Sequence, residues 1–307
     1  MKRIQFPVFT KSKGVQFGTE MERPPIKKNK TWIHLLLFFL TVLSTYFVGL
    51  ADGPIGALWY SFGIITILLT HEMGHYFMAK KHGVAATLPY FIPFPFPLFG
   101  TMGAVIKMEK HVPNRRVLFD IGVAGPLAGI TMIIPAILIG IKLSRIAEVS
   151  SLGEGSITLG DSLLFSFLAR ISIGSLPPGQ DIILHPLAFA GWAGLLITAI
   201  NLLPVGQLDG GHILYALFWK RSRIISTIFH WIFLFICLFY FFGWFLLVLL
   251  LAIIRKHPPT LNDPLPLNRT RKIIGIMTLI LFVLAFTPVP FGFGEGLIPM
   301  LLKQSGP

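Results

Sequence analysis

The run His71-Glu-Met-Gly-His75 sets two imidazoles four residues apart with a carboxylate beside the first. Residues four apart on a helix share one face, about 5–6 Å from each other, so both rings can reach a single ion. Neutral imidazole suits Zn²⁺, and Glu72 stands where it can take a proton from a water polarised by that ion. The bland alternative is a pair of packed or interfacial histidines beside a solvated Glu72. The surrounding run is apolar, and polar groups in such a setting are costly and usually functional.

Two histidines leave a tetrahedral catalytic zinc short of one protein ligand, with a further position open for water. Asp209 is the candidate, in Asn201-Leu-Leu-Pro-Val-Gly-Gln-Leu-Asp-Gly-Gly211. Pro204 and Gly206 should end or bend the preceding helix and let Asp209 turn inward, while Gly210 and Gly211 allow backbones to approach closely. A plain helix cap is the other use for that aspartate. On the metal reading the chain holds one Zn²⁺ through His71, His75 and Asp209.

The elements that must carry these groups are membrane helices. Of the 307 residues 54% are hydrophobic and only 13% charged, against about 25% charge in a soluble domain. Several apolar runs approach the roughly 20 residues that cross a bilayer. Helices are predicted at 32–50, 57–80, 116–141, 183–203, 224–240, 242–254 and 272–287. The fold class is all-α and polytopic, with about 6–7 transmembrane helices. As one helix, 224–254 would run about 46 Å, too long for a core of about 30 Å, and Phe242-Gly243 offers a break into two short spans. The division expected is a basic cytoplasmic tail at 1–30, a catalytic membrane core at 31–220 and C-terminal membrane helices at 221–307. The tail has no apolar core, so no cleavable signal peptide is expected there.

The net charge of +13 does not point to nucleic acid, because the basic residues fall in clusters between apolar runs, as topology-setting charges do. With the N-terminus in the cytoplasm and one crossing per helix, 22 of the 26 Lys and Arg lie on the cytoplasmic side. That predicts a multi-pass protein of the cell membrane, with His75 and Asp209 both near the cytoplasmic ends of their helices. Cys237 is the single cysteine and reads as a small packed residue. Asp120 is left outside the site, His212 is as open to a supporting or interfacial role as to a ligand's, and His34, His82, His111, His185, His230 and His257 read as interfacial.

One apolar stretch cannot be a helix. Pro89-Tyr-Phe-Ile-Pro-Phe-Pro-Phe-Pro97 breaks any helical ladder, and Gly100-Thr-Met-Gly-Ala-Val-Ile-Lys-Met108 has strand character. Non-helical backbone at membrane depth must be covered by protein or line a cavity, so 85–110 reads as a re-entrant β-hairpin on the cytoplasmic side. Its strand residues Gly100, Thr101, Met102, Gly103, Ala104 and Val105 are candidates for binding an extended substrate. Residues 144–181 form an outer segment, with a surface helix over Asp161–Ile173.

Together, His71-Glu72-Met-Gly-His75, Gly122-Val-Ala-Gly-Pro-Leu-Ala-Gly129, and Asn201-Leu-Leu-Pro204 with Leu208-Asp209-Gly210 resemble the site-2 protease family of intramembrane zinc metalloproteases. The likeness covers about residues 57–220. The finer match of Gly-Thr-Met-Gly-Ala and Leu-Pro-Val-Gly-Gln-Leu-Asp-Gly-Gly-His resembles the compact branch shared by bacteria and plastids. The resemblance implies zinc on His71, His75 and Asp209, a catalytic Glu72, and an Asn201 that helps hold the substrate or the developing oxyanion. It also implies membrane-anchored regulators as substrates. The outer segment is too short for an inserted PDZ domain. Gly125 and Gly129 have the spacing that lets membrane helices pack closely, a structural role. A zinc or divalent-cation transporter is the competing class, but it leaves Glu72 and the proline-rich hairpin unused. An inactive relative that binds membrane partners is argued against by the intact Glu72.

Overall fold

The computed structural model describes residues 31–95, 98–109, 112–149, 158–255, 257–292 and 296. The basic tail at 1–30, His111 and Lys303 lie outside the described residues. Nine α-helices are described: α1 (Thr31–Gly49), α2 (Gly53–Lys81), α3 (Arg115–Leu143), α4 (Leu163–Ile173), α5 (Pro186–Asn201), α6 (Asp209–Phe218), α7 (Ser222–Phe239), α8 (Phe245–Ile254) and α9 (Arg269–Ala285). Two antiparallel strand pairs join them, β1 (Tyr90–Pro93) with β2 (Thr101–Val105), and β3 (Arg145–Glu148) with β4 (Gln180–Ile183).

Three helical runs among the described residues are long and apolar enough to cross a membrane: Thr31–Lys81, Arg115–Leu143 and Asp209–Phe239. The first is folded back on itself. A 3₁₀ turn at Leu50–Asp52 separates α1 from α2, and Gly49 lies so close to Ala57 that a Cβ there would sit 2.7 Å from its Cα. The outward faces are apolar: Leu35, Ile55, Phe62, Leu246 and Ile253 are all more than 60% exposed. A soluble fold hides such residues, whereas lipid accepts them. The break in 224–254 falls where expected, at Phe242–Trp244, but α8 has only 10 residues and reaches about 15 Å, half of a bilayer core.

The centre of the bundle is α2, α3 and α5, packed through small residues. Gly140 meets the backbone of Ala188, Gly63 meets Ala190, and Gly74 meets the carbonyl of Ala124. Around these contacts Tyr60, Ile64, Ile133, Ile137, Trp192 and Leu195 form a buried core. α3 includes Pro126 and Pro135 within its length.

The proline-rich stretch is a β-hairpin. β1 and β2 pair as Tyr90↔Val105, Phe91↔Ala104 and Pro93↔Thr101, with a register shift between Phe91 and Pro93. The extra residue is taken up beside Gly103, whose φ of +91° suits glycine. The hairpin leans on the first two helices: His34 Nδ1 donates to the Pro89 carbonyl at 3.0 Å, and the Tyr60 hydroxyl donates to the Phe99 carbonyl at 2.8 Å. Gly100 rests against the backbone of Thr45, where a Cβ would be 2.7 Å from the Cα.

The basic segments converge on one face. Arg115, buried at the start of α3, donates to the carbonyls of Ala216 and Asp263. Arg271 grips Asp120 through two bonds of 2.7 and 2.6 Å, and His82 reaches the same carboxylate at 3.0 Å. His82 and His34 are thus built into the fold through these bonds. His185 also has a structural use, capping α5 through Leu187 N–H. In the outer segment the expected surface helix appears as α4, which buries Phe165 and Leu168 toward α3 and α9. The β3–β4 pair beside it was not foreseen.

Candidate metal centre

α2 carries His71, Glu72 and His75 to the interior, where all three are buried. The helix is apolar on every side, so its histidines are held by packing against α3 rather than by an amphipathic face. Asp209 arrives from the other direction. α5 ends at Asn201, the chain turns through Pro204 and Gly206 (φ +61°), and α6 begins at Asp209. The turn is tight because Gly210 and Gly211 carry no side chain. A Cβ on Gly210 would lie 1.9 Å from the Leu202 carbonyl oxygen, and one on Gly211 2.3 Å from that of Gly206.

These two elements bring three ligand atoms together. His71 Nε2, His75 Nε2 and Asp209 Oδ2 form a triangle with three sides of 3.2 Å. His75 Nδ1 lies 2.7 Å from the Ile121 carbonyl, an acceptor, so its proton sits on Nδ1 and Nε2 of the neutral ring is bare. A lone pair then faces the Asp209 carboxylate and the His71 ring, an arrangement that a cation satisfies. A tetrahedral Zn²⁺ with bonds of about 2.0–2.1 Å spaces its ligands about 3.3–3.4 Å apart, close to the triangle seen. The donor set of two nitrogens and one carboxylate oxygen also suits zinc. The three residues therefore fit one metal ion, and the Ile121 carbonyl orients a ligand from behind.

Glu72 points from α2 toward the hairpin, where it accepts a hydrogen bond from the backbone N–H of Ile106. Ile106 follows β2 directly, which ties the acid to the strand. Strand alternation says which edge this is. Lys107 donates to the Thr87 hydroxyl and accepts from Thr87 N–H, so Lys107 faces β1, as does Val105 opposite Tyr90. Ala104 and Ile106 face the other way, along an edge unpaired by any described strand. Among the candidate substrate residues, Thr101 and Ala104 are buried, Met102 and Val105 are exposed, and Gly103 donates its N–H to the Thr101 hydroxyl. Val105 therefore belongs to the hairpin's own pairing rather than to the open edge.

Asn201 is the last residue of α5, half-buried, eight positions before Asp209. Asp120 holds Arg271 and His82 and stays outside the triangle. His212 lies one turn beyond Asp209, and its Nδ1 is 2.7 Å from His257 Nε2. Two features went unread in the sequence: the Ile106 and Ile121 backbone groups, and the glycines against the rings. A Cβ on Gly125 would sit 2.0 Å from His75 Nε2, and one on Gly129 3.2 Å from His71 Nδ1. The shared four-residue spacing of Gly125–Gly129 and His71–His75 was the available signal.

Residues 59–244 match peptidase family M50. The chain is similar to the protein named "Probable zinc metalloprotease EGY1, chloroplastic" of Arabidopsis thaliana, with 33% identity over 241 residues, 76% of this chain and 43% of that protein. Identity is 35% over 223 residues to the rice (Oryza sativa subsp. japonica) protein of the same name, covering 62% of this chain and 38% of the relative. It is 31% over 247 residues, 80% and 44% of the two chains, to "Probable zinc metalloprotease EGY2, chloroplastic" of Oryza sativa subsp. indica. The chain thus spans less than half the length of each of these relatives. Since the matched region contains most of α2 and all of α3, α5 and α6, and with them every residue of the triangle, the chain belongs to peptidase family M50, the site-2 protease family.

Proposed function

We propose that the protein is an intramembrane zinc metalloprotease that hydrolyses peptide bonds within or near the transmembrane segments of membrane-anchored proteins. The observation that carries this reading is the 3.2 Å triangle of His71, His75 and Asp209 with Glu72 directed at an open strand edge. His71, His75 and Asp209 would hold the zinc. When bound, the ion polarises the scissile carbonyl and makes water a competent nucleophile near neutral pH.

The chain's own residues do the remainder. Glu72 accepts the proton of the attacking water and delivers it to the leaving amine, so one C–O bond forms as the C–N bond breaks. The Ile106 N–H holds the Glu72 carboxylate in place for this transfer. A transmembrane helix satisfies its own backbone, so the substrate must unwind before attack. The N–H and C=O groups of Ala104 and the C=O of Ile106, on the open edge, offer the unwound segment a partner strand, and Asn201 hydrogen-bonds its backbone near the scissile bond. On this reading residues 85–110 enter the membrane as a hairpin, with about 6–7 helices around them, and the basic face is cytoplasmic.

The test is a reconstitution of the whole chain in liposomes with a panel of single-span protein substrates. Wild type should cleave, while Glu72→Gln should keep its zinc and lose turnover, since an amide cannot take the proton. Cleavage by Glu72→Gln at the normal rate would remove the base, and zinc flux without cleavage would make the protein a transporter.

A further inference from the structure

A cavity of about 380 Å³ opens between the start of α7, the flank of α6 and the end of α8. It runs beside Gly211 and Gly206, and Gly206 in turn backs onto the Ile254 carbonyl, so the end of α8 meets the turn that presents Asp209. Its wall contains Lys220, Arg223 and Arg255 and no acidic residue. Lys220 extends over the ring of Trp219 at 4.8 Å. Neither Arg223 nor Arg255 forms an ion pair among the described residues.

The polar groups behind these cations are unfinished. Ser226 is 6% exposed and lines the cavity, yet its hydroxyl has no hydrogen-bond partner among the described residues. His230, one turn along the same face of α7, is also buried with an unpartnered Nδ1. Three cations around one space repel each other, and a buried hydroxyl without a partner is unfavourable. A compact multivalent oxyanion removes both penalties. It offers three acceptor oxygens, which the guanidinium forks of Arg223 and Arg255 can each meet through two bonds. A single carboxylate would leave two of the three charges uncompensated.

We infer that this cavity binds a phosphate group, carried by an anionic lipid headgroup or by a free phosphate compound. Basic pockets between membrane helices take lipid phosphates in this way. The site is separate from the metal triangle and does not depend on the protease reading.

The test uses the purified full chain in neutral detergent at about 0.15 M salt, where charges beyond about 8 Å are screened. Short-chain phosphatidic acid, whose phosphomonoester has three terminal oxygens, inorganic phosphate and, as reference, short-chain phosphatidylcholine are titrated, and bound ligand per chain is measured. Saturable binding of one phosphatidic acid is expected, weakened about 25-fold in Arg223→Ala/Arg255→Ala, at about fivefold per cation lost. Ser226→Val keeps the charges and should weaken binding by a smaller factor. Lys81→Ala/Lys272→Ala, on the same face but outside the cavity, should leave it unchanged. Response to the lipid alone identifies a headgroup site, and competition by inorganic phosphate identifies a free-phosphate site. Absence of saturable binding, or equal loss in the control pair, overturns the inference. If the alanine pair does not fold, Arg223→Lys/Arg255→Lys carries the test: it should bind more weakly for want of the forks, and unchanged affinity overturns the site.

Discussion

Gly125 lies under the ring of His75 so closely that one added methyl group would sit 2.0 Å from Nε2. The same four-residue step along α3 puts Gly129 against His71, with 3.2 Å to Nδ1. The small residues that let α2 and α3 approach are thus also the surface on which the two imidazoles rest. Gly125→Ala should displace His75 from the triangle and lower zinc occupancy by tenfold or more, while the helices stay folded. Gly129→Ala should cost much less, because its neighbour needs to yield only a few tenths of an ångström. Zinc content per chain, beside a circular-dichroism spectrum, reads both. Equal zinc content in the two variants would contradict this account.

Each side of the donor triangle predicts the same loss. His71→Ala, His75→Ala and Asp209→Ala should each strip most of the zinc, since two remaining donors hold such an ion weakly. A strong chelator should inactivate the wild type, and added Zn²⁺ should restore it. Full zinc content in Asp209→Ala would mean that a different residue completes the set.

Substrate addition to β2 concerns Ala104 and Ile106, the residues on the open edge. Ala104→Pro removes an N–H there and leaves the pairing of Val105 with Tyr90 in place. Gly103→Ala probes the same edge by another route. A Cβ there has nothing within 4 Å, so its penalty is the φ of +91°, worth about 1–3 kcal/mol. Both variants should keep zinc and lose most cleavage of membrane substrates. Normal turnover by folded Ala104→Pro would exclude strand addition at this edge.

His257 predicts a pH dependence. Its Nδ1 donates to the Pro258 carbonyl, so its bare Nε2 accepts from His212 Nδ1 at 2.7 Å. Burial pushes His257 down from 6.5 to about 4. The unfolded chain therefore takes up this proton first, and the contribution is complete above about pH 6.5 and lost as pH falls toward about 4. The charged ring would also turn an N–H toward the His212 donor. In a thermal series from pH 7.5 to 4.5, His257→Gln should show a shallower decline than wild type. Parallel curves would show that His257 is protonated equally in both states.

The spacing of His71, Glu72 and His75 was legible because a helix repeats locally, and α2 forms around it as expected. The same holds for α1, α3, α5, α7 and α9, whose apolar runs are their own signal, and for the hairpin, whose prolines forbid any helix. Asp209 could be named from its setting after Pro204 and Gly206. Its arrival within 3.2 Å of both rings required α6 to pack against α3, and α6 itself, opening on Asp209-Gly-Gly211, carries too weak a local pattern to be read as a helix. β3 and β4 escaped for a different reason: Arg145 pairs with Ile183 across the whole outer segment, and neither short strand has a pattern of its own. The contacts of Gly125 with His75, of Glu72 with Ile106 and of His212 with His257, like the cavity among Lys220, Arg223 and Arg255, belong to no single element. Residue type and period are properties of neighbours along the chain, whereas these approaches depend on how helices cross, and only packing in three dimensions decides that.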